Sequence, residues 1–178
     1  MNPSELQFRP ARAEDGVLIA RLRHKIWQTT YRGIYPDEML ESFDIAWHTQ
    51  KDIQRILSPD YAVFLIVCGE QPVGYLNLRR GETPHLLSLY VQKEYQNLGI
   101  GGKAFAFVRE YFRDEGAAFF PVTVSRITGM PWISTGIKGV QLSGRICTTR
   151  KAGKTPLPFN FLFMTSRYEI ARKSRNAF

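Results

Sequence analysis

Seven consecutive residues in the middle of the chain have the types and spacing to hold a phosphate. They read Gln96-Asn97-Leu98-Gly99-Ile100-Gly101-Gly102, and Lys103 follows them. An apolar run, Leu87-Ser88-Leu89-Tyr90-Val91, leads into a polar turn, Gln92-Lys93-Glu94-Tyr95, and then into the glycines. The residues beyond are amphipathic at helical spacing. The first amides of a helix have no partner within it, and the aligned peptide dipoles add partial positive charge there. That arrangement binds a phosphate or pyrophosphate. Glycine matters because a side chain would hold the ligand away from the amides. The spacing does not suit a dinucleotide fold, since the preceding pattern is a strand hairpin rather than a βαβ unit, and Lys-Ser or Lys-Thr is not placed as a P-loop requires.

The elements that must present this turn are legible around it. Leu6 and Phe8 alternate as a short strand that stops at Arg9-Pro10. Val17, Leu18, Ala20, Leu22, Ile26 and Trp27 recur at helical spacing after Glu14 and Asp15, acids that suit a helix N-terminus. After a break at Gly33 and Pro36, a second helical stretch carries Met39, Leu40 and Phe43. It continues through Trp47, Ile53 and Ile56 until Ser58-Pro59 ends it. Residues 61–68 and 73–78 are β-rich runs joined by Gly69-Glu70-Gln71-Pro72, which predicts a hairpin, and residues 86–91 form the next strand. Gly99 opens a helix through Ala104, Phe105, Phe107, Val108 and Phe112 that Gly116 closes, and residues 117–124 predict one more strand. The order is strand, two helices, three strands, helix, strand, which is an α/β (α+β) domain around a largely antiparallel sheet.

Composition bounds the rest. A chain of 178 residues with 44% hydrophobic and 22% charged residues predicts a single domain with an ordinary core. Cys68 and Cys147 form neither a disulfide framework nor a metal-ligand spacing, so the expected compartment is a reducing cytoplasm and no metal is expected. No apolar stretch is long enough to span a membrane, and a soluble protein is expected. The net charge of +8 is uneven. Residues 1–120 hold 14 Lys and Arg against 15 Asp and Glu, whereas residues 121–178 hold 10 against Glu169 alone. Those cations follow no helical stripe or nucleic-acid motif, which argues against a nucleic-acid partner.

Gln96-x-x-Gly99-x-Gly101, preceded by a strand ending Leu89-Tyr90-Val91, resembles the acyl-CoA pyrophosphate motif of the GNAT superfamily. The resemblance extends through Phe8-Arg9-Pro10-Ala11, Glu14-Asp15, Trp27-x-x-Thr30-Tyr31-Arg32-Gly33-Ile34-x-Pro36 and Val73-Gly74-Tyr75. It implies a GNAT-like mixed, largely antiparallel sheet flanked by helices, with residues 1–126 family-like and 127–178 an atypical basic C-terminal segment of the same domain. It implies acetyl-CoA as co-substrate and a small-molecule or peptide amine as acceptor, and it allows a homodimer. By the same resemblance, the backbone at Leu89, Tyr90 and Val91 pairs with the pantetheine arm, and amides from Gln96, Asn97, Leu98, Gly99, Ile100, Gly101 and Gly102 hold the pyrophosphate. Trp27, Thr30 and Tyr31 resemble acceptor-pocket positions, although helix packing would use the same residues. The amine must lose a proton, and His85 is a candidate base because its ordinary pKa lies near neutrality. A surface histidine at a strand edge is the competing reading, and Glu82 is a weaker candidate. Three functions stay open: an N-acetyltransferase, a GNAT-like domain that holds acyl-CoA without turning it over, and a protein that uses its basic ending on nucleic acid.

The resemblance breaks after Val122-Thr123-Val124-Ser125-Arg126. The family then carries an Asn that helps bind the cofactor and a Tyr that commonly protonates the departing thiolate. Thr128 and Thr135 stand near those positions, and neither replaces a phenol with pKa near ~10. Reading the back-translated residues 127–161 with a one-base offset restores the Asn, the Tyr and a Gly pair under permitted codons. Two residues need no codon choice. Met130 followed by Pro131 forces GCC, an alanine, and Trp132 followed by Ile133 forces GAT, an aspartate, where an Asn-x-Ala-Leu-Asp-Phe-Tyr run needs them. The hypothesis is a single-base deletion near codon 126, which predicts a sheet without its last two strands and an exposed strand edge. Sequencing the gene beside those of related strains tests it. A one-base gap near codon 126 is expected, and an intact frame encoding the same residues would remove the idea.

Overall fold

In a computed structural model, the structure describes residues 5–117, 119–126, 146–147 and 162–169. For Phe119, residues 121–126 and the last two segments it describes the backbone alone. Seven strands form one sheet in the order β1-β2-β3-β4-β5-β7-β6, with ranges β1 Leu6–Pro10, β2 Tyr61–Cys68, β3 Gln71–Arg79, β4 His85–Val91, β5 Phe119–Arg126, β6 Ile146–Cys147 and β7 Leu162–Glu169. Every neighbouring pair is antiparallel except β4 and β5. The helices are α1 Gly16–Thr30, α2 Asp37–Glu41, α3 Ile45–Leu57 and α4 Ile100–Asp114. The expected mixed, largely antiparallel sheet flanked by helices is the one observed.

Two cores follow from the strand alternation. On one face Leu76, Leu78 and Leu86 pack with Ile100, Ala104, Phe105, Val108 and Phe112 of α4. On the other, Val63, Leu65 and Tyr75 pack with Ile19, Leu22 and Ile26 of α1. α1 is set at its start by Arg9, which donates to both oxygens of Asp15 at 3.0 and 2.8 Å, while Asp15 also accepts the Arg12 N–H at 2.8 Å. The Arg9 bond holds the Asp15 carboxyl below the usual carboxylate range.

The fold departs from the sequence reading in two places. The stretch read as one continuous second helix is two, because the Asp44 carboxylate accepts the Trp47 N–H at 2.9 Å and so caps a new helix inside the apolar periodicity. The far edge of β5 is not left open either: β7 pairs with it along its whole length, from Phe119↔Glu169 to Arg126↔Leu162. A ladder is made by main-chain groups, so a β-competent segment can cover an edge without the family's own sequence.

One ion pair ties the helical layer to the sheet. Arg23 donates Nη1 and Nη2 to Asp52 of α3 at 2.8 and 2.7 Å and Nε to the Tyr75 hydroxyl at 2.9 Å. The two side chains are 8% and 1% exposed. Burying both charges is costly, and losing one partner is worse than losing both, because the survivor stays uncompensated. Asp52→Ala is therefore expected to cost about 3–5 kcal/mol in urea denaturation. The double variant Arg23→Met, Asp52→Leu is expected to lose much less.

Candidate active site

β4 and β5 run parallel and meet at a single register pair, Leu86↔Val122. Beyond it the strands part, so the β5-facing edge of β4 is open from Leu87 onward among the described residues. The antiparallel register with β3 shows which groups line that edge. The Gln92 N–H reaches the Val73 carbonyl at 2.9 Å, and Val91 lies opposite Gly74 and Tyr90 opposite Tyr75. Polar groups alternate along a strand, so Tyr90 bonds to β3 while the main chains of Leu89 and Val91 point into the gap. The Val91 carbonyl accepts Gln96 Nε2 at 2.9 Å, leaving its N–H toward the opening.

The gap leads from its closed end at Leu86 to the N-terminus of α4. There Asn97 (φ 61°) and Gly99 (φ 77°) both take the left-handed conformation, and Gly99 is the N-cap. Among the described residues no side chain caps this helix, so its first amides remain available to a ligand. Gln96, Asn97, Leu98, Gly99, Gly101 and Gly102 are exposed, and a Cβ added at Gly99, Gly101 or Gly102 would meet nothing within 4 Å. These glycines therefore face open space, the condition for close approach of a ligand to the backbone. Ile100 differs: its side chain is 6% exposed and belongs to the core, so only its amide can serve a ligand. Uncapped amides at a helix start can hold an anion such as a phosphate, and open main-chain groups along a strand can pair with an extended chain.

Gln92 anchors the turn from below. It is 7% exposed, its Nε2 donates to the Pro72 carbonyl at 2.9 Å, and its Oε1 accepts from Lys25 of α1. Lys25 also pairs with Glu94 at 3.1 Å. A Cβ at Gly74 would sit 2.2 Å from the Tyr90 carbonyl, so the backbones of β3 and β4 touch here.

The acceptor candidates gather on the α1 face. Trp27 meets Tyr31 edge-on at 5.8 Å and Phe43 at 5.5 Å, and its Nε1 is buried with no hydrogen-bond partner. Burial, and then the neighbouring Tyr90 hydroxyl, push the Tyr31 phenol well above its ordinary pKa. Tyr90 lies 5.4 Å from Tyr75 on the same face. His85 is the first residue of β4, half-buried, at the closed end of the gap. Burial, and then Arg79, push its imidazole below its ordinary value. Exposed Glu82 lines a groove with Pro59, Arg80 and Glu115 beyond that end of the sheet, away from the α4 N-terminus. Thr128 and Thr135 lie outside the described residues. The reading of the sequence missed Gln92 and the Asn77–Ser88 hydrogen bond at 2.9 Å. The signal for Asn77 was a lone amide inside the apolar run 73–78.

In this chain a splayed parallel strand pair leads to a glycine-lined helix N-terminus, and comparison with known proteins places the chain in a family. Residues 21–126, well over half of the chain, match the model of the acetyltransferase (GNAT) family, and the chain belongs to that family. A probable N-acetyltransferase of Mycobacterium tuberculosis is 23% identical over 109 residues, and the alignment spans 58% of this chain and 63% of that relative. The crystal structure of the PaiA N-acetyltransferase from Thermoplasma acidophilum in complex with coenzyme A has the same fold. Its TM-score is 0.71 at 19% identity, covering 92% of this chain and 99% of that one. A Salmonella typhimurium acetyltransferase that modifies the N-terminal serine of a ribosomal protein superposes with a TM-score of 0.66 at 13% identity, covering 95% and 96%. No helix among the described residues is long and apolar enough to cross a membrane, and those residues contain no cluster of His, Cys, Asp and Glu that could hold a metal ion.

The open space at Gly102 separates binding from stability. Gly102→Ala places a good helix former in α4 and is expected to hold or raise stability by up to about 1 kcal/mol. If these amides hold a diphosphate, the added methyl narrows the approach to them, and CoA affinity by calorimetry is expected to fall about tenfold.

Proposed function

We propose that this chain is an N-acetyltransferase that moves the acetyl group of acetyl-CoA to a primary amine of a small molecule or a peptide. The observation that carries this reading is the gap between β4 and β5, closed at Leu86↔Val122 and running to the uncapped start of α4. Acetyl-CoA supplies an activated thioester. The amides of residues 97–102 would hold its diphosphate, whereas the Gln96 N–H, expected from the sequence to join them, is donated to the Lys93 carbonyl at 3.2 Å; the main chains of Leu89 and Val91 would pair with its arm. Much of the rate then comes from holding the thioester beside the amine. The amine nitrogen bonds to the carbonyl carbon, the C–S bond breaks, the amine gives up a proton and the thiolate takes one. Main-chain N–H groups at the gap can stabilise the charge that gathers on the carbonyl oxygen.

Trp27 and Tyr31 would line the acceptor side. A peptide amine is among the candidates because a relative of this fold modifies a protein N-terminus. His85 would take the amine proton, since its burial favours the neutral imidazole. The second reading, a domain that binds acyl-CoA with little or no turnover, is favoured by the threonines where the family carries its Asn and Tyr. The altered ending from residue 127 is proposed to be the frameshift product described above, and the family match stopping at Arg126 supports it.

A thiol-release screen with acetyl-CoA across polyamines, amino acids, aminoglycosides and peptide N-termini tests the proposal. Amine-dependent release is expected, with activity falling as pH drops through the His85 pKa, which burial holds below its ordinary value, and His85→Gln removing that acidic limb. Thermal stabilisation by CoA without release would favour the binding domain. No stabilisation by CoA would sink both.

A further inference from the structure

Asn77 is the one amide in the middle of β3. It is 2% exposed, and its Oδ1 is buried without a hydrogen-bond partner among the described residues. Leaving one end of a buried amide unpaired costs stability that an apolar side chain would not. The other end has a use: Nδ2 donates to Ser88 Oγ of β4 at 2.9 Å. That bond occupies a lone pair on the serine oxygen and leaves the hydroxyl hydrogen to be given away. Among the described residues it has no acceptor.

Position gives the hydroxyl a target. Tyr75 and Tyr90, two residues from Asn77 and Ser88 on their strands, belong to or pack against the α1-face cluster. Strand alternation puts Asn77 and Ser88 on that same face, where the acceptor would approach. Ser88 is half-buried and lies two residues past Leu86, whose bond to Val122 closes the gap. On the acetyl-CoA reading, an arm entering from the α4 end would run along β4 toward this closed end, where Ser88 stands.

We propose that Ser88, held by Asn77, donates its hydroxyl hydrogen to the carbonyl oxygen of the bound thioester. The inference rests on the acetyl-CoA reading above. The Asn77 bond turns the hydroxyl and polarises it, which makes it a better donor. The contact strengthens as charge gathers on the oxygen during amine addition. Ser88 is then a catalytic residue, and Asn77 is a positioning residue that acts through it.

Equilibrium binding separates this role from a structural one and does not need a known acceptor. Acetyl-CoA, S-ethyl-CoA (a methylene in place of the carbonyl) and CoA are titrated calorimetrically into the full chain. The wild type is expected to prefer acetyl-CoA to S-ethyl-CoA. Ser88→Ala and Asn77→Leu are expected to cut that preference about fivefold while affinity for S-ethyl-CoA and CoA holds. Ser88→Thr is expected to keep it, and the two serine variants carry the test if Asn77→Leu does not fold. An unchanged preference in Ser88→Ala would overturn the role of Ser88 and leave the acyl-CoA reading standing. A wild type that binds none of the three overturns that reading as well.

Discussion

Where β4 stops pairing with β5 decides what the rest of the molecule can do. Two parallel strands that stayed hydrogen-bonded would spend their main-chain groups on each other and leave no entrance into the sheet. Here one register pair, Leu86↔Val122, joins them, and the groups of Leu89 and Val91 that would have continued the ladder face the opening. A sheet interior is normally the part of a fold least able to bind anything, since its polar groups are already satisfied. Parting two strands converts that interior into a row of directed donors and acceptors. α4 on one face and α1 with α3 on the other keep the sheet packed on both sides while the opening is maintained.

The two faces have different tasks, and their chemistry differs accordingly. The α4 face is apolar throughout its described core, with Ile100, Ala104, Val108 and Phe112 fixing the helix whose start lies at the end of the gap. The α1 face carries the polar interior: the Arg23–Asp52 pair, the Tyr75 hydroxyl, the Asn77–Ser88 bond and the unpaired Trp27 Nε1. Buried polar groups cost stability wherever they stand. Their confinement to one face matches the proposed division of labour, with main chain holding the cofactor in the gap and side chains of the α1 face meeting the acceptor.

Much of this was legible before any fold was known, and the parts that were not share a cause. Gly99, Gly101 and Gly102 announced the turn because a local rule, glycine at a helix start after an apolar strand, links their identity to their geometry. The hairpin of β2 and β3 was legible for the same reason, with its turn residues between two apolar runs. The second helix was read as continuous because Asp44 interrupts it by capping, which the spacing of Phe43, Trp47 and Ile53 does not disclose. Arg23 and Asp52 lie 29 positions apart and look like ordinary surface charges on two amphipathic helices; their burial depends on how α1 and α3 come together. Asn77 and Ser88 are joined only by the β3–β4 register, which a bulge shifts between Asn77 and Leu78. The parting of β4 from β5 is likewise a matter of packing. The covering of β5 by β7 escaped for a further reason: backbone pairing does not require the side chains that pattern reading looks for.

The link from Lys25 to Gln92 has a thermodynamic consequence. Lys25 stands two residues before Trp27 on α1, while Gln92 begins the turn that leads to the glycines. A shift of α1 that loosens this bond alters the footing of the turn, and a change in the turn alters where α1 can rest. Free energy is a state function, so such coupling runs equally in both directions: whatever one ligand does to the affinity of the other is returned by the same factor. The two halves of the cleft are therefore a single cooperative unit to the extent that this bond holds them together.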